Sequence, residues 1–309
     1  MAITNWLWDI QGSVTLGIIW AMMALGLYLT YRVLNYADMT VDGSLTLGGA
    51  ISAVAVTAGV PPILAILIAM VGGMAAGSVT GFLHTKLKIP DLLAGILTQF
   101  GLYSINLRIM GKANFGLLNQ VTLFSQIKDL GVPSKWAGLV VGLIFIVILV
   151  IGIYCFFGTE IGCALRATGN NPDMVRAMGS NTKAYIVLGL VLGNGLVAMC
   201  GAILAQYQGY ADINMGVGTI VIGLAAIMIG EVIFSKKSYM HRLTGVVIGS
   251  IVYRIVIAFV LRISLNSNFI IKITADDMKL ITAILVAIAM VLPRMQKKAA
   301  AKSAKGDHK

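Results

Sequence analysis

Charge is scarce in this chain. Asp, Glu, Lys and Arg supply 11% of its 309 residues, hydrophobic residues 58%, and the mean hydropathy is +0.91. A soluble domain carries roughly 25% charged residues, so the shortage excludes that class and leaves an integral membrane protein. Cysteine is also rare. Cys155, Cys163 and Cys200 have no metal-type spacing, which argues against a disulfide frame or a thiolate metal site. His84, His241 and His308 fall in loops or the tail. No H-E-x-x-H, G-x-S-x-G or G-x-x-x-x-G-K-[ST] motif occurs. The missing phosphate loop excludes ATP hydrolysis by that route. The glycines of GVGTIVIG at 216–223 lack dinucleotide spacing and lie in an apolar run. Lys and Arg are missing from the first 31 residues, so no basic n-region of a cleavable signal peptide is visible. Trp6 and Trp8 read as interfacial anchors. The net charge of +11 owes much to six cations after residue 293. They read as a solvated tail beside anionic lipid, not as a nucleic-acid surface.

The apolar residues group into runs long enough to cross a bilayer, which takes about 20 helical residues. Nine spans are expected, near 13–32, 44–60, 62–83, 91–110, 136–157, 183–206, 217–235, 243–262 and 277–293. The expected fold class is all-α integral membrane: a polytopic helical bundle in one domain over 1–295, with a basic tail at 296–309. The second span is short and glycine-rich, so it is open to being broken or re-entrant. Lys and Arg set the orientation, because cytoplasmic segments are enriched in them. With the C-terminus inside, 15 of the 23 cations fall in inside segments and 7 in outside segments, with Arg254 inside a span. The expected topology is therefore C-terminus cytoplasmic and, with nine spans, N-terminus outside.

Small residues four apart let membrane helices approach closely. The chain offers Gly73/Gly77, Gly138/Gly142, Gly189/Gly193 and Gly245/Gly249. The general abundance of glycine in membrane helices accounts for part of these pairs. Tyr36-Ala37-Asp38 precedes the second span and Tyr210-Ala211-Asp212 the seventh. On the expected topology they lie on opposite sides, as an inverted-topology repeat would place them. Chance would also produce three matched residues.

Polar groups inside spans are costly and are candidates for function. Glu231 and Arg254 fall in consecutive spans and would pair if the arginine snorkels toward the cytoplasm. Such a pair would either lock two helices or belong to a substrate route or gate. Gln99, Asn106, Asn194 and Gln206 would bond between helices or line a hydrophilic path. Glu231 is the one acid expected well inside a span. That counts against the alternative class, an ion-coupled secondary transporter for a small solute.

The most distinctive polar stretch is GTEIGCALRATGNNPDMVRAMGSNTK, residues 158–183. Thr159 is expected to cap a first helix through Glu160, Ala164 and Arg166 that stops at Gly169. After Asn170, Asn171 caps a second, with Pro172 at its first position, Asp173 in its first turn, Arg176 along it and Gly179 at its end. Cap, proline, acid and terminal glycine follow the order the backbone requires. The charge count puts this elbow in the cytoplasm. It is either a capped loop helix on the membrane surface or a face shown to a partner.

E-x-G-x-A-L-R-A-T-G-N-N-P followed by a short helix resembles the cytoplasmic coupling loop of ABC importer permeases. The broad match is to the ribose, galactoside and branched-chain amino acid importers. YRVLNYADMTVDGSLTLGGA at 31–50 resembles an early segment of the same family. IPDLLAGILTQFGLYSINLRIMGKAN at 89–114 and AQYQGYADINMGVGTIVIGLAAIMIGE at 205–231 are similar to a narrower branch. Its importers pair with lipoprotein receptors, several for tryptophan or tyrosine. Larger members of the broad family have an additional first helix, so their spans do not match these one for one.

The resemblance implies a permease subunit in the bacterial cytoplasmic membrane that is not itself an enzyme. It implies a second copy of the permease, two ABC ATPase subunits holding ATP and magnesium, and an extracytoplasmic substrate-binding lipoprotein. No cofactor would bind this chain. The elbow residues Glu160, Ala164, Arg166, Gly169, Asn170, Asn171, Pro172, Arg176 and Gly179 would couple to the ATPases, with Arg166 and Arg176 meeting acids in their groove. Gln99, Asn194, Glu231 and Arg254 would line the path or lock helices. An aromatic amino acid is the first substrate suggested by the branch. Branched-chain amino acids, sugars and nucleosides stay open.

Overall fold

The structure is a computed structural model that describes residues 2–234 and 239–266, with isolated positions at 280, 284 and 287. From the N-terminus run α1 (Ala2–Leu27), closed by a π-helical turn Tyr28–Val33, then α2 (Thr40–Thr57), α3 (Pro62–Thr85) and α4 (Asp91–Met110). Strand β1 (Asn114–Gly116) and a short α5 (Leu123–Asp129) lead to α6 (Ser134–Gly158). The elbow is α7 (Glu160–Asn170) and α8 (Pro172–Ala177). After it come α9 (Thr182–Gln208), β2 (Tyr210–Asp212), α10 (Thr219–Phe234) and α11 (Tyr239–Asn266). Local chemistry sets the ends. Pro61, Pro90 and Pro133 stand extended just before α3, α4 and α6, where a proline cannot continue a preceding helix. Gly111 and Gly209 stop α4 and α9 at φ +68° and +78°, the left-handed conformation a side chain resists.

Among the described residues seven helices are long and apolar enough to cross a membrane: α1, α2, α3, α4, α6, α9 and α11. The chain is a multi-pass membrane protein. The expected seventh span appears as α10, at 16 residues shorter than a full crossing. Of the expected ninth, 277–293, positions 280, 284 and 287 alone are among the described residues, and the tail at 296–309 lies outside them. The second span is an unbroken helix that starts at Thr40, earlier than the expected 44, so it takes in Asp42.

The four glycine pairs all sit where helices meet. Helix α9 runs through the middle and is buried along most of its length, packed by α1, α2 and α3. A Cβ on Gly77 would lie 2.3 Å from Leu190 O, and one on Gly249 2.1 Å from Ala226 O, so α3 against α9 and α11 against α10 depend on bare backbone. Gly193 faces Thr30 and Gly26 of α1, and Gly138 faces Thr15 and Tyr207. Without a hydrophobic drive between helices in lipid, this contact area is what holds them. The outward faces of α3, α4 and α6 keep large apolar side chains exposed, Phe100 at 74% and Ile148 at 62% among them.

The two Tyr-Ala-Asp triplets form the same turn. Asp38 Oδ1 accepts from Thr40 N at 2.9 Å, and Asp212 Oδ1 accepts from Asn214 N at 2.8 Å. They stand at opposite ends of the bundle. Leu34, just before the first triplet, packs against Gly189 near the start of α9, whereas the second follows the end of α9 and pairs antiparallel with β1. After Asp38 the helix begins two residues on. After Asp212 the chain first stays irregular through 213–218 and passes Gly49, Thr46 and Asp42 before α10 begins. The broken backbone expected at the second span is thus found ahead of α10, lying against α2. Irregular backbone at such a depth is tolerated where protein surrounds it.

Candidate functional site

The elbow is capped by side chains three times. Thr159 Oγ1 accepts from Gly162 N at 3.2 Å, Asn171 Oδ1 from Met174 N at 3.0 Å, and Asn181 Oδ1 from Ala184 N at 3.4 Å. These start α7, α8 and α9 in turn. One side of it is fixed to the bundle. Leu165, Thr168 and Val175 are buried. Gly169 lies against the end of α1, where a Cβ would sit 1.9 Å from Val33 O. The other side is free: Glu160, Asn170, Asn171, Pro172, Arg176 and Gly179 are exposed, Met174 is 49% exposed and Met178 75%.

The two elbow arginines differ. Arg166 turns inward. Its Nη2 donates to Phe157 O at 2.9 Å and to Cys163 Sγ at 3.3 Å, and its guanidinium stacks over Phe157 and Tyr239. It satisfies a carbonyl at the end of α6 and ties α7 to α6 and α11. Arg176 is solvated and bonds Asp173 at 3.3 Å, an exposed pair of little energetic weight. Ala164 is half-buried.

The intramembrane residues also sort differently from the expectation. Glu231 bonds Arg32 at the end of α1, not Arg254. Arg254 instead lies 4.3 Å from the Trp20 ring centroid, and its Nε has no hydrogen-bond partner. Helices α10 and α11 are consecutive, but the acid and the arginine look at different neighbours. Asn194 locks helices: it accepts from Ser44 Oγ at 2.7 Å and donates to Asp38 Oδ2 at 2.6 Å. Gln206 bonds Ser52 Oγ, Pro62 O and Leu123 N, and Asn106 donates to Gly43 O.

Three of the four singled-out amides face an opening: Gln206 borders one of about 550 Å³ beside β1 and α5, and Gln99 and Asn106 share another. The shared one is a cavity of about 530 Å³ between α2, α4 and the 213–217 segment, lined also by Phe100, Tyr103 and Thr46. That size suits a small organic solute. Asn106 Oδ1 is buried without a partner, leaving an acceptor at this wall. Asp42 also lines it, and it went unnoticed in the sequence. Its carboxylate accepts from Gly218 N at 2.9 Å, Thr219 Oγ1 at 2.7 Å and Ile220 N at 3.1 Å. An acid is favoured at a helix N-terminus, and here α2 supplies it to α10. An acid in the first turn of a glycine-rich run was the available signal. Asp38, in the connection ahead of α2, and Asp42, in its first turn, are thus two further acids packed into the bundle, both occupied as hydrogen-bond acceptors. Among the described residues no cluster of His, Cys, Asp and Glu could hold a metal.

The family model described as "Branched-chain amino acid transport system / permease component" matches residues 10–292. The "Tyrosine transport system permease protein" of Clostridioides difficile is 40% identical over 88% of this chain and 87% of its own length. The "Ribose import permease protein RbsC" of Escherichia coli is 25% identical over 75% of this chain and 71% of its own. The solved "PsaBC from Streptococcus pneumoniae in complex with Fab" covers 91% of this chain and 89% of that chain at 15% identity and a TM-score of 0.49, a likeness too loose to carry argument. The family match extends over nearly the whole chain, and on it this protein belongs to the permease family described as "Branched-chain amino acid transport system / permease component".

Proposed function

We propose that this chain is the membrane subunit of an ATP-driven importer, working as a homodimer with two ATPase subunits, and that its cargo is an aromatic amino acid. The observation that carries the coupling role is the two-sided elbow, one face locked to the helix ends and the other presented outward. The docking face narrows to Asn170, Asn171, Pro172, Met174, Arg176 and Met178. Gly169 and Arg166 transmit and do not dock. ATP and magnesium belong to the partner subunits. Their closure would move α7, and through Gly169 push the 34–39 connection that leads into α2 and the cavity wall. The elbow end and the C-terminus are cytoplasmic, the N-terminus outside, and a receptor lipoprotein delivers substrate at the β1–β2 end.

The substrate reading rests on the name of the 40% relative and on the cavity's chemistry. Phe100 and Tyr103 offer aromatic walls, and Gln99 and Asn106 offer amides. The test is uptake into vesicles holding the co-expressed ATPase, with the cognate receptor outside. Met174→Glu/Met178→Glu is expected to abolish ATPase co-purification and cut ATP-dependent uptake at least about ten-fold, while the bundle still inserts. Full uptake by that variant would sink the docking face. Uptake driven by an ion gradient without ATP would favour a secondary carrier. Receptor binding of a sugar, with no affinity for tyrosine or tryptophan, would overturn the substrate.

A further inference from the structure

A second groove lies apart from both the elbow's outer face and the α4 cavity. It has a volume of about 440 Å³ and sits between the C-terminal end of α3 and the N-terminal end of α9. Further into the bundle the two helices touch. Gly77 abuts Leu190, and a Cβ on Gly81 would lie 3.0 Å from a Val187 methyl. Alongside this contact and past its end runs the groove, lined by Thr85 and Lys86 from the α3 end and by Lys183, Ala184, Val187, Leu188 and Val191 from α9.

Two chemistries meet there. Lys86 and Lys183 are exposed cations, and among the described residues no acid lines the groove. The neutral acceptor and hydroxyl are engaged: Thr85 Oγ1 donates to Gly81 O at 2.7 Å, and Asn181 Oδ1 accepts from Ala184 N at 3.4 Å. The polarity left for a ligand is positive. From the lysines an aliphatic strip, Val187, Leu188 and Val191, leads along α9 toward the bundle middle. On α3, Val79 and Phe82 are 50% and 52% exposed, apolar surface suited to hydrocarbon. A cationic end joined to an apolar channel matches a ligand that is an anion at one end and a hydrocarbon chain at the other.

We propose that this groove holds an anionic phospholipid of the cytoplasmic leaflet, its phosphate between Lys86 and Lys183 and one acyl chain along Val187, Leu188 and Val191. Basic pockets between helix ends on that side are suited to such headgroups. The site rests on the cytoplasmic placement of the elbow end and is independent of the cargo. Its position at the root of α9, directly after the elbow, gives the lipid a grip on the helix that the elbow starts.

The test uses the full-length protein in phosphatidylcholine nanodiscs containing a trace of phosphatidylglycerol with a diazirine on its acyl chain. Photolabel is expected in peptides holding Val187 and Val191. Unlabelled phosphatidylglycerol should compete and added phosphatidylcholine should not. Labelling should fall about ten-fold in Lys86→Gln/Lys183→Gln and stay unchanged in Lys112→Gln/Lys128→Gln, a control on the opposite end. Unchanged labelling in the first variant, or equal competition by phosphatidylcholine, overturns the site. Inorganic phosphate competing as well as the lipid also overturns it, since the groove would then be a simple anion site. Orientation is read separately, in a Cys155→Ser background. Cys163 should react with an impermeant maleimide in inverted vesicles only, and reaction in right-side-out vesicles removes the premise without touching the docking-face test.

Discussion

Asn194 makes a buried carboxyl tolerable. Asp38 sits in the connection between α1 and α2 at 3% exposure. Burial pushes its pKa above the usual carboxylate range, while hydrogen bonds from Thr40 and Asn194 pull it back. Between pH 3.8 and its raised native value the folded state holds more protons than the unfolded one. This group's contribution is therefore full below pH 3.8 and lost as pH rises through the native value. Asn194→Leu removes the donor and strands Asp38 Oδ2, which is expected to cost about 2–3 kcal/mol. Thermal unfolding in detergent should show the loss, and Asn194→Leu/Asp38→Leu should recover part of it, because removing both partners costs less than removing one. Strictly additive losses would mean that the two are not coupled. Arg254 is the opposite case, a cation whose Nε has no partner beside Trp20. Arg254→Met is expected to leave stability level or raise it by up to about 1–2 kcal/mol. A clear drop in the same unfolding assay would show a partnership that the geometry does not.

Among the elements, the seams are set by bare backbone, and the expected cost depends on what a side chain would meet. Gly249→Val forces a branched side chain toward Ala226 O and should destabilise by about 1–3 kcal/mol or block insertion. Gly152→Val, with nothing within 4 Å of its Cβ, should be near neutral. Equal losses at the two positions would show that helix propensity, not packing, decides. These seams were legible in the sequence because a four-residue spacing is a local signal, although spacing alone does not name the facing helix. The elbow was legible for the same reason, since Thr159, Asn171 and Pro172 act within three residues of themselves. Its facing was not: that Arg166 turns to Phe157 and Tyr239 depends on where α6 and α11 end. Asp42 is visible as an acid in a glycine-rich run, but its pairing with α10 is not, because Asp42 and Thr219 are 177 positions apart. The Glu231–Arg254 pairing failed on rotation about the helix axis. Hydropathy places spans in order along the chain but does not say which neighbour each face meets.

For the molecule as a whole, Asp42 ties its two halves together. Helix α2 comes from the first Tyr-Ala-Asp unit and α10 from the second, and the carboxylate of one holds the N-terminus of the other. The same segment, through Ile213 and Val217, forms one wall of the cavity, while Met39 and Gly43 of the α2 side form another. A relative movement of the halves therefore has to change either this joint or the cavity's width. Asp42→Ala removes all three bonds and leaves two backbone N–H groups without an acceptor, an expected loss of about 1–3 kcal/mol. Asp42→Asn keeps one oxygen and should fall between. If the joint transmits elbow motion to the cavity, Asp42→Ala retains ATPase association and ATP hydrolysis but loses at least about ten-fold in uptake, a split that a folding defect would not produce. Loss of hydrolysis and uptake together, with a lowered melting temperature, would make Asp42 a structural cap. Uptake at the wild-type level would leave the start of α10 outside the transport path.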